Sequence, residues 1–338
     1  WQDLLGTWEV DKKRFPNGLR AISEHAHEKG VKTLLWFEPE RVVRDSWLFE
    51  NHPEWLLGDG DSRFFNHGNP QANEWLTNRV DRILTDEKID LYRQDFAVFS
   101  KHFWVQEDQK HPDRQGIAEI KHVMGYLKYL DELRRRHPNM LIDICAAGGK
   151  RLELENLRRA VPLWRSDYAF EPVGTQGHSY GLAQWLPYSG TGVAQVDVYA
   201  FRSDMCPSTV LNLDVRNKNL DYKLLQKLVK QWREVAPNYY GDFYPLTPYS
   251  LDNTMWMGWQ YNRPEEGEGI VQMFCRTGTM YDSGLCKLKG LEPESRYEIH
   301  DFDQEGKLIM TGKELMEKGL RITFQNQPGA ALIHYQKQ

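Results

Sequence analysis

Two aspartates carry the chemistry this sequence could do. Asp95 closes Ile89–Asp95, a stretch that opens as an apolar strand and ends on Arg93, Gln94 and Asp95. A purely structural strand end would turn with Gly, Asn or Pro. Asp167 closes a second stretch, Val161–Asp167, with Arg165 two residues earlier and so on the same side of an extended chain. Two carboxylates at strand ends suit glycosidic cleavage: one attacks the anomeric carbon and the other protonates the leaving oxygen. Arg93 would keep Asp95 ionised and therefore nucleophilic. The alternative reading of the same residues is a pair of salt-bridged strand-end acids.

Other residues bear on the choice. Trp36 precedes Glu38-Pro39-Glu40, and an indole at a strand end can stack on the C–H face of a sugar. Glu38 or Glu40 alone could ligate a metal, but no histidine spacing supports it. His25 and His27, two apart on a helix, face different ways. Cys145-Ala-Ala-Gly148-Gly149 puts two glycines after a strand, which allows a close backbone approach to a ligand. A phosphate loop would need a following Lys-Ser/Thr, which is missing.

The elements that position these residues alternate. Helices are expected over 15–30, 70–86, 117–137 and 151–160, and strands over 31–37, 62–66, 89–95, 140–145 and 161–167. Strand–helix alternation of this kind argues for a parallel sheet. The chemistry-bearing residues sit at the C-terminal ends of successive strands, the functional face of a (β/α)8 barrel. An open doubly wound sheet shares that rule, but no G-x-G-x-x-G turn supports a dinucleotide site. One βα unit takes about 35 residues, so the 72 positions between Asp95 and Asp167 put them on strands with one between, ending at Cys145. A last barrel helix is expected over 222–235. After Pro245 the composition shifts to strands over 255–261, 269–276, 295–302 and 320–335, a small antiparallel β-sandwich. The expected division is a barrel over 1–245 and a sandwich over 246–338.

The bulk properties narrow the class. A net charge of −5 over 338 residues gives no nucleic-acid footprint. No apolar run is long enough to cross a bilayer. Four scattered cysteines form no disulfide framework and lean toward a reducing, cytoplasmic setting. The chain starts at Trp1 without an initiator Met, which reads as a fragment whose targeting region lies upstream.

Taken together, the stretches GTWEVDKKRFPNGL (6–19), LLWFEPERV (34–42), ENHPEWLL (50–57), LYRQDF (91–96), CAAGGKR (145–151) and WRSD (164–167) resemble, in order and spacing, the catalytic barrel of the bacterial α-galactosidases of glycoside hydrolase family 36. The tail resembles that family's C-terminal sandwich. The resemblance implies a retaining hydrolase for terminal α-linked galactose, with Asp95 as nucleophile and Asp167 as acid/base. It implies that Trp36, Arg93, Cys145, Gly148 and Gly149 line the sugar subsite, that the partner is a carbohydrate, and that neither metal nor organic cofactor is used. Oligomers are frequent in the family, which allows a homo-oligomer here. A retaining pair of carboxyls is expected about 5–5.5 Å apart. A related α-N-acetylgalactosaminidase and a non-catalytic carbohydrate-binding relative are the competing readings; retention of both aspartates speaks against the latter. Gln94, Arg93, Ala97, Ala147 and Glu153 depart from the family's frequent residues, and the first barrel strand, with its acidic pair, is expected to be missing. A chain lacking that strand is expected to be weakly active or inactive alone, unless a neighbouring segment completes the barrel.

Overall fold

A computed structural model describes residues 4–96, 99–168 and 171–338. Ala97, one of the departures noted above, lies outside them. The chain forms two compact units, Trp1–Pro162 and Leu163–Gln338.

The first unit is built on a parallel sheet. Leu34–Phe37 pairs with Leu91–Gln94, and that strand pairs with Leu141–Ile144. A single parallel bridge joins Asp143 to Val161 and extends the order by one. Helices Pro70–Asp86 and Ile117–Arg136 supply the crossovers. Asn69 caps the first of these, accepting the N–H groups of Gln71 and Ala72. Leu76, Val80, Leu84, Tyr129, Leu130 and Leu133 from the helices pack on Phe37, Tyr92, Ile142 and Ile144 from the strands. Alternate strand residues are therefore committed to the helix layer. The others share the opposite face: Trp36, Arg93 and Asp143 occupy one row of the register.

The second unit holds a short parallel pair, Gly190–Val193 with Ser208–Leu211, and a six-stranded antiparallel sheet. In that sheet the strand Glu268–Cys275 is buried on both faces. Ile270 and Phe274 face helices Val198–Asp204 and Tyr222–Val235, meeting Phe201, Leu228 and Val235. Val271 and Met273 face the other way, toward the two-stranded piece Ser283–Cys286 and Leu320–Thr323. One edge strand of the sheet is Asp242–Pro245. The division expected at 245 therefore falls at the end of a strand inside this unit.

Local differences from the sequence reading have simple causes. The helix expected over 15–30 spans Arg20–Glu28, because Pro16-Asn17-Gly18 forms turns and Gly18 has φ +74°. The helix expected over 151–160 is reduced to Leu154–Leu157. The strand expected over 161–167 is a single bridge at Val161. The strand expected over 320–335 is two, Leu320–Thr323 and Gly329–Lys337. Among the described residues no helix is long and apolar enough to cross a membrane.

Candidate active site

The strand Leu91–Gln94 answers why an apolar strand ends on charge. Tyr92 and Gln94 point into the helix layer: the Tyr92 hydroxyl donates to Gln94 Oε1 at 3.1 Å and accepts from the Tyr129 hydroxyl at 2.8 Å. Arg93 projects to the opposite face, with Asp95 next on that side. The ladder continues past the strand's formal end, as Asp95 N–H donates to Phe37 O and Cys145 N–H to Gln94 O, both at 2.8 Å. Asp95 and Cys145 are thus fixed by backbone bonds on the same face as Trp36 and Arg93.

The Asp95 carboxylate is held from two sides. Trp36 Nε1 donates to Oδ2 at 3.2 Å, and Phe96 N–H donates to Oδ1 at 2.7 Å. Ala147 N–H approaches Oδ1 at 3.5 Å, from a left-handed turn with φ +44°. That turn is the Cys145–Lys150 loop, in which Gly148 is buried at φ +85° and Gly149 is exposed. The Cys145 thiol is pushed up to about 12 by burial and then by the Asp95 charge. It is a neutral, weakly donating group beside the carboxylate. Iodoacetamide at pH 8 is therefore expected to leave Cys145 unmodified in the native protein and to alkylate it in urea; alkylation of the native protein would contradict the buried placement.

The ion-pair partner of Arg93 is Asp143, directly opposite on the next strand. Burial alone would lower the Arg93 pKa, but Asp143 outweighs it and the guanidinium is held above its usual value; Asp95 adds a smaller contribution. Asp143 carries a signal in the sequence, an acid inside the otherwise apolar run Leu141-Ile142-Asp143-Ile144.

Glu38 and Glu40 are buried and ion-paired. Glu38 accepts from Arg41 at 2.7 Å. Glu40 accepts both Arg151 nitrogens, at 2.6 and 2.8 Å, with His122 Nε2 at 2.9 Å and the Gln94 amide at 3.3 Å. Arg151 lies between the rings of Phe96 and Tyr126, 4.3 and 4.1 Å from their centroids. No cluster of metal-ligating side chains occurs among the described residues.

In the second unit Asp167 is exposed and accepts Trp164 Nε1 at 3.0 Å. The Trp164 ring lies over Gly192, where an added Cβ would fall 2.3 Å from it. Arg165 does not accompany Asp167. It is buried and donates to Ser179 Oγ at 2.8 Å and Thr175 O at 3.2 Å, because no strand holds it to the face of Asp167. Its charge falls on Asp204, which burial nonetheless pushes up to about 8. A cavity of about 440 Å³ in this unit is lined in part by Tyr168, His178 and Tyr249. The larger cavity of the first unit, about 610 Å³, is lined by none of the strand-end residues.

Comparison with known proteins places the chain in a family. The family profile Melibiase matches residues 2–197, and the profile of the glycosyl hydrolase family 36 C-terminal domain matches 256–335. Alpha-galactosidase 1 of Pediococcus pentosaceus is 28% identical over 93% of the chain, and Alpha-galactosidase Mel36A of Lactobacillus acidophilus is 26% identical over 93%. The chain spans 45% of the length of each. Among solved structures, a variant of the α-galactosidase AgaA of Geobacillus stearothermophilus in complex with raffinose superposes with a TM-score of 0.83 at 21% identity, covering 99% of this chain and 49% of that one. The α-galactosidase of Lactobacillus brevis gives 0.82 at 22%, covering 99% and 48%. The fold class is the expected one, barrel-type α/β followed by an antiparallel β domain.

Proposed function

Because the chain belongs to the melibiase family and carries a glycosyl hydrolase family 36 C-terminal domain, we propose that it removes terminal α-linked galactose from galactosides with retention of configuration. The observation that carries this reading is Asp95: a carboxylate at a parallel strand end, fixed by Trp36 Nε1 at 3.2 Å and Phe96 N–H at 2.7 Å, on the same sheet face as Arg93 and Cys145. A nucleophile needs such a fixed attack direction.

In this reading Asp95 attacks the anomeric carbon and forms a glycosyl-enzyme. Asp167, steadied by Trp164, gives its proton to the leaving oxygen and then takes one from water. Trp36 offers its indole to the sugar's C–H face, Arg93 its outer N–H groups to hydroxyls, and the Cys145–Gly149 turn its backbone. Arg93 keeps its orientation through Asp143. The neutral Cys145 thiol adds no charge to compete with Asp95.

The test is hydrolysis of p-nitrophenyl α-galactoside followed by proton NMR within the first minutes. α-Galactose is expected as the first-formed anomer. β-Galactose first would overturn retention. Cleavage of the α-N-acetylgalactosaminide in place of the galactoside would move the assignment to that sugar, and cleavage of neither would sink the hydrolase reading.

A further inference from the structure

Both chain neighbours of Asp95 are held by one buried ion pair. The Gln94 amide donates to Glu40 Oε2 at 3.3 Å, and the Phe96 ring lies 4.3 Å from the Arg151 guanidinium. Arg151 in turn donates to both Glu40 oxygens, at 2.6 and 2.8 Å. We propose that Arg151 is a positioning residue: it fixes the direction of the Asp95 carboxylate through Phe96 and through the Cys145–Lys150 loop. The proposal deepens the galactosidase reading and rests on it, because it takes Asp95 as the group that attacks the anomeric carbon.

Two donors to Asp95 Oδ1 depend on Arg151. Phe96 N–H, at 2.7 Å, belongs to the residue whose ring the guanidinium covers. That ring also meets Phe64 edge-on, at 6.1 Å and 62°. Ala147 N–H, at 3.5 Å, lies in the loop that runs into Arg151. Leu152 N–H donates to Gly149 O at 3.2 Å and Lys150 N–H to Ala146 O at 3.3 Å, so the loop is tied back on itself around Arg151. On the other side of the carboxylate, Trp36 Nε1 donates to Oδ2, and Trp36 is placed by the ladder between Leu34–Phe37 and Leu91–Gln94. Loss of the guanidinium therefore loosens the Oδ1 side and leaves Trp36 and the Arg93–Asp143 pair in register.

The arrangement calls for a planar cation. A guanidinium bonds Glu40 through two nitrogens while its flat faces meet the rings of Phe96 and, at 4.1 Å, Tyr126. An ammonium keeps the charge and loses the flat contact. Glu40 is itself anchored by His122 Nε2 at 2.9 Å, so Arg151 is tied to a fixed point.

The experiment separates attack from sugar binding and from stability. Its probe is an α-galactosyl fluoride carrying a second fluorine at C5. The Asp95 oxygen bonds to the anomeric carbon as fluoride leaves, and the ester formed hydrolyses slowly enough to be counted by mass spectrometry. The inactivation rate constant is expected to fall about 100-fold in Arg151→Met and about 10-fold in Arg151→Lys, with Ki for free galactose within about threefold of wild type. The double variant Glu40→Gln/Arg151→Met strands no buried charge and regains stability, yet it lacks the cation over Phe96 and is expected to stay about 100-fold slow. Urea titration selects conditions in which each variant is folded; should Arg151→Met not fold, the other two variants decide. Labelling of Asp95 within about threefold of wild type in the Arg151 variants overturns the proposal. So does a rate that recovers with stability in the double variant, which would make Arg151 structural only. A galactose Ki weakened by the same factor as the rate also overturns it, since the whole sugar pocket would then have collapsed. If the wild type is not labelled on Asp95, the galactosidase reading fails first and the positioning role falls with it.

Discussion

Asp95→Asn is expected to slow turnover of p-nitrophenyl α-galactoside by on the order of 10⁴-fold or more, with the fold intact. The substitution is nearly isosteric. The backbone bonds that place residue 95, from its own N–H to Phe37 O and from Cys145 N–H to Gln94 O, involve no side chain and survive. Only the charge and the attacking lone pair are lost. A sharper form uses Asp95→Gly, which opens a space in front of Trp36 and Phe96. Azide entering there should attack an activated α-galactoside from the face opposite the leaving group and give β-galactosyl azide, the inverted product. A structural aspartate gives no such product. Asp95→Asn activity within tenfold of wild type, together with no azide adduct from Asp95→Gly, would remove Asp95 from the nucleophile's role.

The first half of this site was legible because strand alternation is a local signal. Leu91-Tyr92-Arg93-Gln94 assigns its residues to two faces without reference to anything distant, and the structure puts Arg93 and Gln94 on opposite ones. The same logic would have found Asp143. It failed at 161–167, where only the bridge at Val161 forms. Arg165 was misassigned with it, since side-by-side placement presumed a strand.

The helix Pro172–Ala183 was missed for a different reason. Its sequence, PVGTQGHSYGLA, has three glycines and poor intrinsic helix propensity. It is held by the Glu171 cap and by close packing that its glycines permit, both of which depend on partners elsewhere in the fold. Strand Glu268–Cys275 was readable as a strand but not as one buried on both faces, because the covering helices lie more than thirty residues upstream. The Glu40–Arg151 pair, 111 residues apart, leaves no trace in either local sequence beyond the charges themselves.

That pair carries the largest stability effect expected of a single substitution. Glu40 is fully buried, and its carboxylate accepts a bidentate guanidinium, an imidazole and an amide. Removing one partner leaves a buried charge uncompensated, so Glu40→Gln and Arg151→Met are each expected to cost about 3–5 kcal/mol in urea unfolding. The double variant should lose clearly less than the two losses combined, because it strands no charge. The pair also sets the response to acid. Burial alone would raise Glu40, yet Arg151 and His122 hold it well below its ordinary 4.5. The folded protein therefore binds this proton less readily than the unfolded chain, and the stabilisation is complete above about pH 4.5 and lost as pH falls toward the depressed value. His67, which burial and the neighbouring His122 push down to about 3 from 6.5, adds a loss that begins earlier, as pH falls through 6.5. Wild-type stability should thus decline in two stages on acidification. Glu40→Gln should keep the first and lose the second, and His67→Asn should do the reverse. Single variants within about 1 kcal/mol of wild type at pH 7, or an acid limb unchanged by Glu40→Gln, would show that the strand ends carrying Asp95 are held together by apolar packing and not by this buried charge pair.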